Sequence, residues 1–262
     1  MSRIGRRFEE LRAAGRTGLV VYVMAGDPDL ETTRRLVLEL ERSGADIIEL
    51  GVPFTDPLAD GPSIQAANER ALAAGVTLDG ILDLVRQIRT QSQIPILLMT
   101  YFNPIFRAGL QQVATSAVEA GVDGMLITDL PPEEAGEWKP VADQVGLDTV
   151  FLLAPTSTAE RIRLGARLAT GFVYCVSRTG VTGTRAELPA ELQALVERIR
   201  AQTDRPIAVG FGVSTPEHVR QIGAWCQAAV VGSAVVNVIA REGAAAVEPV
   251  GAFVRNLKGD VA

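Results

Sequence analysis

Short apolar runs alternate with longer amphipathic ones along the chain. The apolar runs are Leu19–Met24, Asp46–Leu50, Ile94–Thr100, Gly124–Thr128, Asp148–Leu153, Gly171–Val176, Pro206–Val209 and Ala228–Val231. They are too short for helices, and they read as strands buried on both faces. The segments between them read as helices with one apolar face. These are Glu31–Ser43, Leu78–Thr90, Leu110–Ala120, Pro132–Val145, Ala159–Leu168, Ala190–Gln202 and Pro216–Gly223. Ser157-Thr-Ala-Glu160 and Ser214-Thr-Pro-Glu217 have the spacing of capping boxes at helix starts. Pro131-Pro132-Glu133-Glu134 resembles another start, with acids at the positive end of the helix dipole.

Unbroken strand–helix alternation predicts a parallel sheet. Eight such units over about 250 residues predict a closed (β/α)8 TIM barrel. We expect one domain over residues 1–262. It should carry an extra N-terminal helix and short extra helices around Ile64–Ala73 and at the C-terminus. An open doubly wound sheet is the alternative. It would usually place a glycine-rich dinucleotide turn after an early strand, and Ala25-Gly26-Asp27-Pro28 does not match that pattern.

Composition narrows the function classes. Hydrophobic residues make up 47% of the 262, enough for a full core, and the net charge of −6 argues against a nucleic-acid partner. No apolar run is long enough to cross a membrane as a helix. The N-terminus lacks an apolar signal core, which points to a cytoplasmic protein. Cys175 and Cys226, far apart in apolar surroundings, fit reduced core thiols.

The stretch Glu49-Leu-Gly-Val-Pro-Phe-Thr-Asp-Pro-Leu-Ala-Asp60-Gly-Pro carries the clearest chemical signal. Glu49 is expected at the end of the second strand. Asp60 follows in a loop of roughly 12 residues stiffened by Pro53, Pro57 and Pro62, where such connections usually take 2–6. Two carboxylates near one pocket can divide acid and base work if their environments separate their pKa values. Glu49 could also be a structural carboxylate bonded to loop amides. Asp56 and Asp129 stand where aspartate often serves as a cap. The other polar residues that follow strands are Asp27, Asn103, Thr156, Arg178, Thr179, Thr182 and Ser233.

Three glycine-bearing turns suggest an anion site: Thr179-Gly-Val-Thr-Gly183, Gly210-Phe-Gly212 and Gly232-Ser233. Glycines let backbone N–H groups approach a phosphate, and a helix N-terminus adds a favourable dipole. Tyr22, Met99, Tyr101, Leu126, Leu152, Tyr174 and Phe211 could line an apolar pocket between acids and glycines, although each alone could be ordinary core. The scarce residues restrict the reaction. Lys139 and Lys258 fall in a helical segment and in the C-terminal tail, so no strand lysine is available for an imine. The lone histidine, His218, is expected on a surface helix, and zinc chemistry or a Cys–His pair has no ligand set. No metal is expected.

These motifs resemble the tryptophan synthase α subunit family over essentially the whole length. The resemblance rests on Glu49–Gln65, Met99-Thr-Tyr-Phe-Asn-Pro104, Tyr174-Cys-Val-Ser-Arg-Thr-Gly-Val-Thr-Gly183, Gly210–Gly212 and Val231–Ser233. It implies lyase-type cleavage of indole-3-glycerol phosphate to indole and glyceraldehyde 3-phosphate. Glu49 would be the acid/base and Asp60 the acceptor from the indole N–H. Phosphate would lie at Gly183, Gly212, Gly232 and Ser233, and Thr182 would meet Asp60 when the loop bearing Arg178 closes. The family pattern leads us to expect phenylalanine where Tyr22 stands and leucine where Met99 stands. It also implies no cofactor in this chain, a pyridoxal-phosphate-bearing β subunit as partner, and an α2β2 tetramer. Asp56, the loops around Pro53–Asp60 and Asn103–Phe106, and Asp129–Pro132 would lie at the contact. A free-standing indole-releasing lyase, another phosphate-binding barrel isomerase and a non-catalytic activator subunit are the other readings.

Overall fold

A computed structural model describes residues 1–176 and 190–259. Eight strands pair in sequence order, all parallel, and β8 returns to β1, closing the barrel. They are β1 (Gly18–Met24), β2 (Ile47–Gly51), β3 (Ile96–Thr100), β4 (Gly124–Ile127), β5 (Asp148–Leu153), β6 (Val173–Val176), β7 (Ile207–Gly210) and β8 (Ala228–Val231).

Before the barrel comes α1 (Arg3–Ala13), and α2 (Leu30–Arg42) follows β1. Two helices follow β2, α3 (Pro62–Ala73) and α4 (Leu78–Arg89). Two more, α5 (Phe102–Ala108) and α6 (Leu110–Ala120), follow β3. The later strands alternate with α7 (Trp138–Val145), α8 (Ala159–Leu168), α9 (Ala190–Arg200) and α10 (Pro216–Gly223). After β8 come α11 (Ser233–Glu242) and α12 (Val247–Lys258). The extra helices expected at the N-terminus, near residue 64 and at the C-terminus are all present. Among the described residues no helix is long and apolar enough to cross a membrane.

Two apolar layers hold the fold. Outward-facing strand residues such as Leu19, Val21, Ile48, Leu98 and Val209 pack against the helices, with Cys175 and Cys226 in the same layer. Inward-facing Val20, Ile47, Leu97, Leu126, Val150, Phe172 and Ala208 fill the barrel. The floor is closed by α1, whose Ile4, Phe8 and Leu11 join that inner cluster, with the Phe8 and Phe172 rings 5.7 Å apart. Period-2 alternation makes successive strand residues face opposite layers, so both layers are apolar and the strands read as continuous runs.

Charged side chains bind the termini to the floor. Asp46, just before β2, is buried and accepts from Arg7 of α1 (2.6 Å), Lys258 of α12 (2.8 Å) and the Leu19 amide (2.8 Å). Asp123, just before β4, takes Arg3 (2.9 Å), Arg89 (2.7 Å) and the Ile96 amide (2.8 Å).

Several local expectations shift. Thr158, not Ser157, caps α8, and Thr215, not Ser214, caps α10. The Ser157 hydroxyl instead accepts from the Ala154 amide at 3.0 Å. The helix expected over Pro132–Val145 is a 3-10 turn at Pro132–Glu134 followed by α7. His218 is buried rather than on the surface, and its Nδ1 accepts from the Ser214 amide at 3.4 Å. Its own amide donates to the cap residue Thr215 at 3.3 Å.

Candidate active site

Barrels of this kind place chemistry at the C-terminal ends of their strands. Tyr22 of β1 pairs in register with Glu49 of β2, which pairs with Leu97 of β3. Glu49 is the third of five residues in β2, not its last, so its side chain descends into the barrel instead of standing at the rim. It is fully buried, and among the described residues neither carboxylate oxygen has a hydrogen-bond partner. Burial, and secondarily the charge of Asp60, push its pKa up to about 8.

Asp60 lies in the segment between β2 and α3. Tyr101, the residue after β3, donates its hydroxyl to Asp60 Oδ2 at 3.1 Å and accepts from the Ala59 amide at 3.0 Å. Burial raises the Asp60 carboxyl to about 6, and the Tyr101 hydrogen bond opposes that rise. Tyr22 and Tyr174 are buried on either side, their hydroxyls held well above the ordinary tyrosine range mainly by burial. Asp60, Glu49, Tyr101 and Tyr174 all act electrostatically on Tyr22, so the five side chains gather in one place.

Two glycines make room for the tyrosines. A Cβ at Gly51 would stand 2.2 Å from Tyr22 Oη, and one at Gly210 would stand 2.8 Å from a Tyr174 ring carbon. The Tyr22 hydroxyl, which needs a buried partner, finds only Met24 Sδ at 3.9 Å among the described residues. Met99 is half-buried and packs with Tyr22, while Leu126 and Leu152 belong with Tyr174 to the cluster beneath. Phe211 is half-buried and packs against the layer between strands and helices. Gly212 has φ +44°, a left-handed conformation that glycine adopts without strain. Gly232 and Ser233 open α11, and Gly232 sits against the Tyr22 ring, where a Cβ would come 3.5 Å from Tyr22 Cβ. Arg178, Thr179, Thr182 and Gly183 lie outside the described residues.

Other polar candidates have structural partners. Asp27 forms a two-pronged pair with Arg70, both contacts at 2.7 Å. Asp129 Oδ1 accepts from the Phe102 amide at 2.7 Å and so caps α5 from the neighbouring connection. Asp56 is exposed and takes the Thr55 hydroxyl at 2.9 Å. Asn103 is the second residue of α5. Two residues of α3 with no assigned role in the sequence reading prove important. Asn68 grips both backbone groups of Phe54 at 2.7 Å, and Gln65 donates to the Asp60 carbonyl at 2.9 Å. Their i, i+3 spacing on one face of α3 was the available signal. A surface cavity of about 390 Å³ opens at the other end of the barrel, beneath Met1, Ser2 and Arg6. Two of its charged walls, Arg3 and Asp123, are paired with each other, so it is set apart from the carboxylates.

Fold and site together define a (β/α)8 barrel with two acids of raised and separated pKa at its catalytic face. Barrels of this construction are a large class, and the sequence determines which branch this one occupies. The chain belongs to the tryptophan synthase alpha chain family, whose family model matches residues 8–260. It is 51% identical over 262 residues to the tryptophan synthase alpha chain of Geobacter sp. (strain M21), covering 100% of this chain and 98% of that one. The crystal structure of tryptophan synthase subunit alpha from Legionella pneumophila superposes with a TM-score of 0.91 at 39% identity, covering 99% and 98% of the two chains. A structure from Pyrococcus furiosus, described as showing the basis of mutual activation of the tryptophan synthase a2b2 complex, gives 0.87 at 41% identity, covering 92% and 98%.

Proposed function

We propose that this chain cleaves indole-3-glycerol phosphate to indole and glyceraldehyde 3-phosphate, acting as the α subunit of tryptophan synthase. The observation that carries this reading is the Glu49–Asp60 pair. Glu49 is buried with no partner among the described residues, and burial lifts it to about 8 against about 6 for Asp60, so near neutral pH Glu49 is the acid of the pair and Asp60 the anion. The protonated Glu49 gives its proton to C3 of the indole ring. The ring nitrogen then carries positive charge, which Asp60 stabilises through the N–H. The indole itself is the electron sink, so the carbon–carbon bond breaks without an imine. Glu49, now a carboxylate, takes the proton of the glycerol hydroxyl as the aldehyde forms. Both lysines are engaged elsewhere: Lys258 with Asp46 at 2.8 Å, and Lys139 with Asp143.

Tyr22, Met99, Leu126, Leu152, Tyr174 and Phe211 take the indole ring. Backbone N–H groups at Gly183, Gly212, Gly232 and Ser233 take the phosphate, and Thr182 meets Asp60 as the loop that bears it closes. The chain works in the cytoplasm as one domain, and a β subunit carrying pyridoxal phosphate receives the indole in an α2β2 assembly. Exposed apolar side chains, Leu58 of the β2–α3 segment at 91% and Phe106 of α5 at 56% exposure, support that docking.

The test is indole release from indole-3-glycerol phosphate. Glu49→Gln and Asp60→Asn each lower turnover by ~10²-fold or more while changing KM less. The wild-type rate rises through about pH 6 and falls through about pH 8, following the two carboxyl groups. Turnover within about threefold of wild type in either variant removes that residue from the mechanism.

A further inference from the structure

The segment between β2 and α3 carries Asp60 across roughly ten residues with no strand or helix of their own, longer than most such connections. A carboxylate on so long a span must be tied if it is to face one point in the barrel. Two ties act on the backbone. Asn68 holds Phe54, and Gln65 holds the carbonyls of Asp60 (2.9 Å) and Pro57 (3.3 Å). Neither reaches the acid group.

Among the described residues, only Tyr101 does. Its hydroxyl donates to Asp60 Oδ2 at 3.1 Å and accepts the Ala59 amide at 3.0 Å. It therefore uses both its donor and an acceptor on adjacent residues of the segment. The tyrosine is itself rigid. It follows the last residue of β3, is buried, and lies 5.2 Å from the Phe54 ring, which Asn68 anchors. The chain of support thus runs from the barrel wall and α3, through two aromatic rings, to one carboxylate oxygen, and among the described residues none bonds Oδ1.

We propose that Tyr101 is a positioning residue for Asp60: its hydroxyl fixes the carboxylate and the adjoining Ala59 amide so that the acid is aimed before any ligand arrives. This rests on the reading of Asp60 given above and goes beyond a pocket-lining role for the ring. The bond also favours the ionised carboxylate, against the burial that raises it. Among the described residues, the other titratable groups facing this point are Tyr22 from β1 and Glu49 from β2, with Tyr174 across the barrel on β6.

Tyr101→Phe keeps the ring and its contact with Phe54 and deletes only the hydroxyl. Three readouts apply to the full chain. In amide hydrogen exchange followed by NMR, Ala59 loses protection by about tenfold while Phe54, held by Asn68, keeps its own. The carboxyl titration of Asp60 moves upward by about half a pH unit or more. Turnover of indole-3-glycerol phosphate falls by about tenfold with KM within about threefold, and the fall shrinks to about twofold or less in an Asp60→Asn background. Equal losses from Tyr101→Phe in both backgrounds would mean that the hydroxyl acts on substrate, not through Asp60, and would overturn the proposal. So would unchanged Ala59 exchange together with an unmoved Asp60 titration. Should Asp60→Asn itself leave turnover intact, the catalytic reading fails, and the exchange and titration still decide the positioning claim.

Discussion

A carboxyl group buried without a hydrogen-bond partner keeps its proton well past the pH at which a free glutamate loses it. Among the described residues Glu49 is such a group, and the consequence extends to stability. In the unfolded chain it ionises near 4.5, in the fold near 8. Between those values the unfolded chain releases a proton that the native state retains, so rising pH favours unfolding across that window and has no such effect below it. Glu49→Gln has no proton to release. Its stability relative to wild type should be level near about pH 4 and improve by up to a few kcal/mol by about pH 8. Urea unfolding at several pH values measures the difference. A gap that stays constant with pH would mean that Glu49 is ionised inside the fold. At the same scale, the sequence made the two acids legible through their types and the proline-rich loop. It could not reveal the Tyr101–Asp60 bond, which spans 41 positions and depends on two segments meeting in space.

Elements were legible to the extent that their signal was local. All eight strands and the principal helices follow from apolar runs and their spacing, because both barrel faces are buried and each helix presents one apolar stripe. The ends were less legible. Adjacent hydroxyl residues, Ser157-Thr158 and Ser214-Thr215, each offer two possible caps, and a loop amide engaged by Ser157 decides the first case. Gly136 stands in the gap between the 3-10 turn and α7, where an apolar period alone suggested continuity. Glycines within strands carry a more specific meaning. Gly51 lies two residues beyond Glu49, and the space above it is taken by Tyr22. Gly51→Ala forces that ring to shift and should cost about 1–3 kcal/mol of stability. It should also lower turnover, since Tyr22 borders the site. Adding Tyr22→Phe should recover part of the stability, as the closest contact is with the hydroxyl. Thermal denaturation of the single and double variants gives the comparison, and additive losses would place the strain elsewhere.

For the whole molecule, the floor and the catalytic face perform separate tasks. The floor holds α1 and α12 to the barrel through Asp46, which is 1% exposed and satisfied by two cations and an amide. Asp46→Ala removes the acceptor of the Leu19 amide and leaves Arg7 with Glu10 and Lys258 with the Thr17 carbonyl, and it should destabilise the chain by about 1–3 kcal/mol. A loss under about 1 kcal/mol in urea unfolding would show that the pairs contribute little. The catalytic face carries the exposed Leu58 and Phe106. If it receives a β subunit, adding that subunit should accelerate indole release by about tenfold or more, by favouring the competent arrangement of the loops. Phe106→Ser should blunt that gain and leave the rate of the isolated chain near its wild-type value. Full activity in the isolated chain, indifferent to the partner, would favour a free-standing lyase.

The two cysteines buried in the layer between strands and helices give the chain a built-in clock. Alkylating reagents attack the thiolate. Burial drives the Cys226 thiol up to about 12 and Cys175 higher still, and neither is open to solvent. Cys175 sits within β6 and Cys226 just ahead of β8, on opposite flanks of β7. A reagent can reach either only when that part of the wall comes apart. The rate at which label accumulates in native buffer therefore counts openings of the barrel itself. Comparing the two sites tells whether the wall parts strand by strand or all at once.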